Sequence, residues 1–246
     1  MKAYLINLKP AVDRRKKATQ SLQEAGFEVE RIDAVNGTLL SKETTPYSER
    51  AYRLAHGKKT NLREIGCYLS HLKALKAFLK SNDSFALIAE DDAKASPKTL
   101  KLVEESLQQS RNIDILRLSS VHRGMPLRIK NLSDGFKLTV CLTRQTGAGA
   151  YIVSRKAAEK LINKLQPMFL PYDHALDREW FYGMNSAFIT PAPINQHTDT
   201  ETQIKATSNY KLPFLKRYIS VFPFRAYNEI TRVFFRIFSL IKLRWR

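Results

Sequence analysis

The chain has 246 residues, of which 43% are hydrophobic and 26% charged, a mixture that buries an ordinary core and excludes a fibrous or wholly disordered chain. Its 41 Lys and Arg against 23 Asp and Glu leave a net charge of +18, which asks for an anionic partner. Two cysteines, Cys67 and Cys141, are too few for a disulfide scaffold or a zinc knuckle and favour a reducing compartment.

Residues 3–8 (AYLINL) predict a buried strand, and the run from Asp13, with Ala18, Leu22 and Ala25 on one face, predicts a helix that Gly26 stops. A second strand over 27–32 completes the strand, helix, strand opening of an α/β sheet of parallel type. Residues 36–60 carry Gly37, Pro46 and Gly57 among many polar groups and read as a long mobile loop. Helical spacing returns over 62–80, and a short apolar strand follows over 85–89. Further along, the pattern predicts helices over 97–109 and 156–165 and strands over 113–118, 138–142 and 148–153. The first residues lack the small-residue cleavage site of a signal peptide, and no stretch reaches the roughly 18 apolar residues of a membrane span.

The strand over 85–89 runs straight into Glu90, Asp91 and Asp92. Unpaired charges cannot continue a buried strand, so these acids mark where it leaves the sheet. Ligands of open α/β sheets bind outside such strand ends. Carboxylates there suit a hard divalent cation shared with a diphosphate. Taken alone, an acid triplet is explained equally well by a solvated turn or the start of the next helix.

Four segments resolve that ambiguity: YLINL at 4–8 with Asp13, Arg14 and Arg15, then EIGCYLSHLKAL at 64–75, then ALIAEDDA at 86–93, and the strand over 147–154 leading to Pro171, Tyr172 and Asp173. In this order they resemble glycosyltransferase family 25, the bacterial lipooligosaccharide β-galactosyltransferases and their collagen-modifying relatives. The resemblance implies a GT-A-like α/β fold, an open and mostly parallel sheet flanked by helices, over residues 1–204. It implies transfer of a hexose, galactose from UDP-galactose first, with inversion, to a saccharide acceptor of lipopolysaccharide biosynthesis. Glucosyl or N-acetylhexosaminyl transfer is the alternative. The acids then form a variant of the DxD motif, with Glu90 and Asp92 holding a divalent metal, Mn2+ or Mg2+, and the UDP-sugar, and Asp91 alongside. Asn7, Arg14 and Arg15 fall on the nucleotide side, and Ser70 and His71 on the most family-like helix touch the nucleotide, orient a loop or satisfy a buried contact.

An inverting transfer needs one base for the acceptor hydroxyl. Asp173 in the family-like Pro-x-Asp element is the first candidate, with a helix N-cap as its plain structural alternative. Asp177, four residues on and on the same face, is the second. His197, in the loop after Pro191 and Pro193, is the candidate third metal ligand. Tyr172 stands where Val or Ile is frequent before the aspartate, and Cys67 has no evident base partner.

Residues 205–246 hold ten Lys or Arg and one acid, Glu229. On a helical wheel Arg225, Asn228, Glu229, Arg232, Arg236 and Ser239 share one face, and Tyr227, Ile230, Val233, Phe234, Ile237, Phe238 and Ile241 the other. This is the pattern of a helix lying in a membrane interface. The expectation is a tail over 211–246 that holds the enzyme on an anionic membrane, with Arg225, Arg232 and Arg236 toward headgroups, at the cytoplasmic face and beside a lipid-linked acceptor. A terminal helix docked on the core is the alternative. Basic nucleic-acid binding is disfavoured by the continuous apolar face and the lack of RNP-like or zinc motifs, so no nucleic-acid partner is expected. Metal-dependent phosphoryl transfer is disfavoured because no Walker loop accompanies the acids.

Overall fold

The computed structural model describes residues 1–41, 45–122, 124–196 and 212–244. In chain order it runs β1 (Lys2–Asn7), α1 (Val12–Glu24), β2 (Glu28–Asp33), α2 (Glu49–His56), α3 (Leu62–Leu79), β3 (Phe85–Glu90), β4 (Ala93–Ala95), α4 (Thr99–Gln109) and β5 (Ile115–Arg117). It continues with β6 (Pro126–Asn131), β7 (Lys137–Cys141), β8 (Ala150–Ser154), α5 (Arg155–Lys164), α6 (Tyr172–Leu176), β9 (Ser186–Thr190), β10 (Ile194–Gln196), α7 (Phe214–Ile219) and α8 (Val221–Arg244).

The eight-stranded sheet has the order β2-β1-β3-β8-β5-β9-β7-β6. Following the pairings across it, only β7 and β8 run against the other strands. The parallel pairs have helical crossovers, as they must: α1 joins β1 to β2. One apolar layer, with Leu72, Leu75 and Phe78 of α3, covers one face of the sheet. A second, with Leu22 of α1 and Leu102 and Val103 of α4, covers the other. Buried on both faces, β3 reads as the unbroken apolar run seen in the sequence.

Local chemistry accounts for the helix that carries the site. Asn61 caps α3 by accepting the Glu64 N–H at 2.8 Å, while the Glu64 carboxylate turns back to the Asn61 N–H, a reciprocal capping box. Tyr52 of α2 donates to the same carboxylate at 2.8 Å. Residues 36–60 are therefore not the long loop expected: α2 lies within them, started by Ser48, whose hydroxyl accepts the Ala51 N–H, and ended by Gly57 at φ +83°. Its eight residues are amphipathic, but they are too short a window for the period to stand out among the polar residues around them. The short strands β4, β6, β9 and β10 also lack a signal of their own, and β6 alternates charged side chains at the sheet edge, as edge strands often do.

The tail forms α7 and α8, and among the described residues no helix is long and apolar enough to cross a membrane. The expected wheel is present but turned around. Asn228, Arg232, Arg236 and Ser239 are buried against the domain, whereas Ile230, Phe234, Ile237, Phe238 and Ile241 are exposed. Arg232 and Arg236 therefore do not reach toward headgroups. They meet Asp177 at 3.1 and 2.9 Å, and Arg236 also meets Glu179 at 2.7 Å, all with nearly inaccessible side chains. Carboxylates waiting in the domain make the polar face the docking face, something periodicity alone does not reveal.

Candidate active site

The acids sit at the carboxyl end of β3, between α1, α3 and the β4–β10 pair. Asp91 is braced by two of the residues singled out in the sequence: Asn7, at the end of β1, donates to Oδ2 at 2.7 Å, and Arg14 of α1 pairs with Oδ1. Arg31 in turn donates to Asn7 Oδ1 at 3.2 Å. Burial raises the Asp91 pKa, and the contacts from Asn7 and Arg14 counter only part of it. Arg15 is half-buried on α1 and has no ion pair among the described residues.

Glu90 turns to the opposite side. His71 Nε2 lies 3.1 Å from its Oε1, and the Cys67 thiol donates to the same oxygen at 3.8 Å. Cys67 and His71 are one helical turn apart on α3, so both face the strand end. Burial works to raise the Glu90 pKa, but the bond and charge of His71, with Arg14 behind, hold it below the ordinary glutamate value. Burial and then the Glu90 charge push the Cys67 thiol well up, so it stays protonated. The ligand atoms of Cys67, His71 and Glu90 lie within 4.8 Å of one another, close enough to share a metal ion. His71 is fully buried, stacked on Tyr172 at 4.0 Å and 6°, with Tyr151 OH 3.4 Å from Nδ1 and 2.7 Å from Tyr172 OH. It positions Glu90 from behind. Tyr172 is what stacks on it.

Asp92 is different. Gln196 of β10 donates to Oδ2 at 3.3 Å, while Oδ1 is buried with no hydrogen-bond partner among the described residues. Burial and then the Glu90 charge raise its pKa to about 6. A buried orphan carboxylate oxygen costs free energy unless something completes it. Gln196 reaches Asp92 across Gly149, where an added Cβ would stand 2.3 Å from the amide nitrogen. Neither Gln196 nor Gly149 carries a signal in the sequence that would have singled it out.

Ser70 is buried, accepts the Val35 N–H at 2.8 Å and donates to Gly66 O at 2.6 Å, so it orients the loop after β2 and does not face a ligand. Asp173 is half-buried on α6. No side-chain cap bond forms at the start of that helix, and Asp173 Oδ2 instead accepts the Gly147 N–H at 3.3 Å. Its charge works to raise the pKa of Cys67, Tyr52, Glu64 and His174. Asp177 is fully buried, accepts the Gln145 N–H at 3.1 Å and pairs with Arg232 and Arg236. With its carboxylate held by two arginines it is committed to anchoring α8. His197 lies outside the described residues.

Residues 1–176 match the sequence profile of glycosyltransferase family 25, described as an LPS biosynthesis protein. A glycosyltransferase 25 family member of Drosophila melanogaster is 32% identical over 44% of this chain and 19% of its own length. Procollagen galactosyltransferase 1-A of Xenopus laevis is 32% identical over 36% of this chain and 15% of its own. The chain thus spans less than a fifth of these relatives. A Haemophilus influenzae protein is 26% identical over 71% of this chain and 60% of its own length. Among solved structures, a Drosophila β-1,4-galactosyltransferase 7 mutant with manganese, UDP-Gal and xylobiose superposes with a TM-score of 0.40 at 12% identity, over 85% of this chain and 76% of that one.

Proposed function

The chain belongs to glycosyltransferase family 25, and from that premise we propose that it transfers a hexose, galactose from UDP-galactose first, with inversion to a saccharide acceptor of lipopolysaccharide biosynthesis. The observation that carries the donor half of this reading is the orphaned, buried Asp92 Oδ1 beside a braced Asp91 at a strand end. An oxygen ligand set of Asp92 and Glu90 fits a hard divalent cation, Mn2+ or Mg2+. Bound there, such an ion neutralises the diphosphate of the departing UDP. Asn7 and Arg14 keep Asp91 from collapsing onto that place, and His71 holds Glu90 ionised. The family's procollagen galactosyltransferases support galactose as the sugar.

In the acceptor half, Asp173 takes the proton of the acceptor hydroxyl as its oxygen bonds to the anomeric carbon, and the bond from that carbon to the diphosphate breaks on the opposite face. The products are the inverted glycoside, UDP and a protonated Asp173. The Gly147 N–H holds the carboxylate in place without quenching its second oxygen. Incubating the protein with a panel of UDP-hexoses, Mn2+ and a lipooligosaccharide acceptor should release UDP fastest from UDP-galactose. Asp92→Ala should reduce that release at least a hundredfold while the protein stays folded. Equal release by the variant would remove Asp92 from the site, and preference for UDP-glucose or a UDP-N-acetylhexosamine would move the donor assignment within the same fold.

The same reading places the enzyme on the cytoplasmic face of an anionic membrane through α7 and α8. Phe214, Leu215 and Ile219 of α7 and Ile230, Phe234, Ile237, Phe238 and Ile241 of α8 are all exposed, more large apolar side chains than a monomer ordinarily leaves in water. Lys216, Lys242 and Arg244 are exposed on the same two helices and complement anionic headgroups. Replacing Ile230, Phe234 and Phe238 together by Ser should release the protein from phosphatidylglycerol vesicles without changing its melting temperature by more than a degree or two. Indifference of the intact protein to vesicles, with self-association in their place, would assign the surface to a second copy.

A further inference from the structure

Behind α8 lies a cavity of about 410 Å³, separate from the acid cluster. His56 closes it from the end of α2, Arg144 from the loop after β7, His174 and Arg178 from α6 and the turn that follows it, and Phe224 and Arg225 from α8. Its charges are unbalanced. Asp177 and Glu229 also line it, but Asp177 is paired with Arg232 and Arg236, and Glu229 with Arg232 and the Arg144 N–H. Arg144, Arg178 and Arg225 have no carboxylate partner among the described residues. Arg178 is only 6% exposed, and its Nε is buried without a hydrogen bond. Its guanidinium lies 4.8 Å from the Phe181 ring centre and 5.3 Å from that of Phe224. Ring faces stabilise such a cation but do not use its N–H donors.

A buried arginine without a counter-ion is expensive, and three arginines around one cavity make a fork-rich surface suited to phosphate. We infer that this cavity binds a phosphate monoester, carried by the acceptor or by the lipid on which the acceptor is built. The inference rests on the transferase reading and narrows its acceptor to an anionic one. Position supports it. His174, in the cavity wall, shares α6 with Asp173, although Asp173 itself does not line the cavity. Phe224 and Arg225 join the wall to the exposed apolar surface of α7 and α8, from which a lipid-borne phosphate would arrive. Arg178 and Arg225 also lie beyond residue 176, where the family match ends.

The test follows the ring signals of His56 and His174 by NMR in the full chain, with mannose 6-phosphate, mannose and dioctanoyl phosphatidic acid below its micelle concentration as probes. Mannose 6-phosphate or the lipid should shift both rings and mannose should not, and Arg144→Gln and Arg225→Gln should each weaken the effect about tenfold or more. A response to the sugar phosphate alone identifies the acceptor as the source, and a response to the lipid alone identifies the headgroup. Asp92→Ala should leave the response intact, and Arg144→Gln should leave UDP binding intact, so failure of the donor site and failure of this cavity are read separately. Loss of the response in Asp92→Ala but not in the arginine variants, or no response to either phosphate, overturns the inference.

Discussion

Asp173→Asn is expected to bind UDP-galactose as the unchanged protein does and to lose turnover by about 10² to 10⁴, the usual worth of a general base. The amide keeps the shape of the carboxylate, and its oxygen still accepts the Gly147 N–H, so neither the fold nor the loop that leads into β8 has reason to move. Only basicity is removed. Donor affinity measured by titration and kcat measured at saturating acceptor separate the two effects. A variant with unchanged kcat would show that another group takes the proton. A variant that no longer binds the donor would show that Asp173 belongs to the nucleotide site. Asp177→Asn should behave differently, losing stability before chemistry, because its carboxylate is committed to two arginines.

Arg236→Met is the substitution with the largest expected cost to stability. Arg236 Nη2 lies 2.9 Å from Asp177 Oδ1 and 2.7 Å from Glu179 Oε1, and Nη1 donates to the carbonyls of Cys141 and Thr143 at 2.8 and 3.0 Å. Burial raises the Glu179 pKa and Arg236 pulls it back, so without Arg236 the domain keeps buried carboxylates it cannot satisfy. Breaking such a pair from one side costs about 3–5 kcal/mol, or a melting temperature lower by roughly 6–20 °C for a chain of this size. Ile230→Ser, one face over and exposed, should move it by no more than a degree or two. If Arg236→Met melts with the unchanged protein, α8 is not anchored as described, and the cavity behind it loses a wall.

The contrast between these two residues shows what a sequence carries. The β3 strand and its acids were legible because five apolar residues followed at once by three charges leave a chain no choice of where the sheet ends. The family resemblance singled out Asn7 and Arg14 for the nucleotide side, and in the structure both are bonded to Asp91. The tail was half legible. Its two faces follow from a 3.6-residue period, but which face docks depends on Asp177 and Glu179, which lie about 50 residues earlier and are brought there by the turn after α6. Asp177 itself read as a catalytic candidate because spacing puts it on the face of Asp173, and spacing says nothing of the arginines that cover it. Gln196 and Gly149 were not legible, since their contact exists only once β10 has paired with β4.

If the carboxyl end of β3 holds a metal-bound nucleotide, as proposed, titration of UDP into the full chain with and without Mn2+ reads it out. Binding is expected to strengthen at least tenfold with Mn2+ and to return to the metal-free level in Asp92→Ala, with the variant melting as the unchanged protein does. UDP binding that ignores both the metal and Asp92 would contradict it.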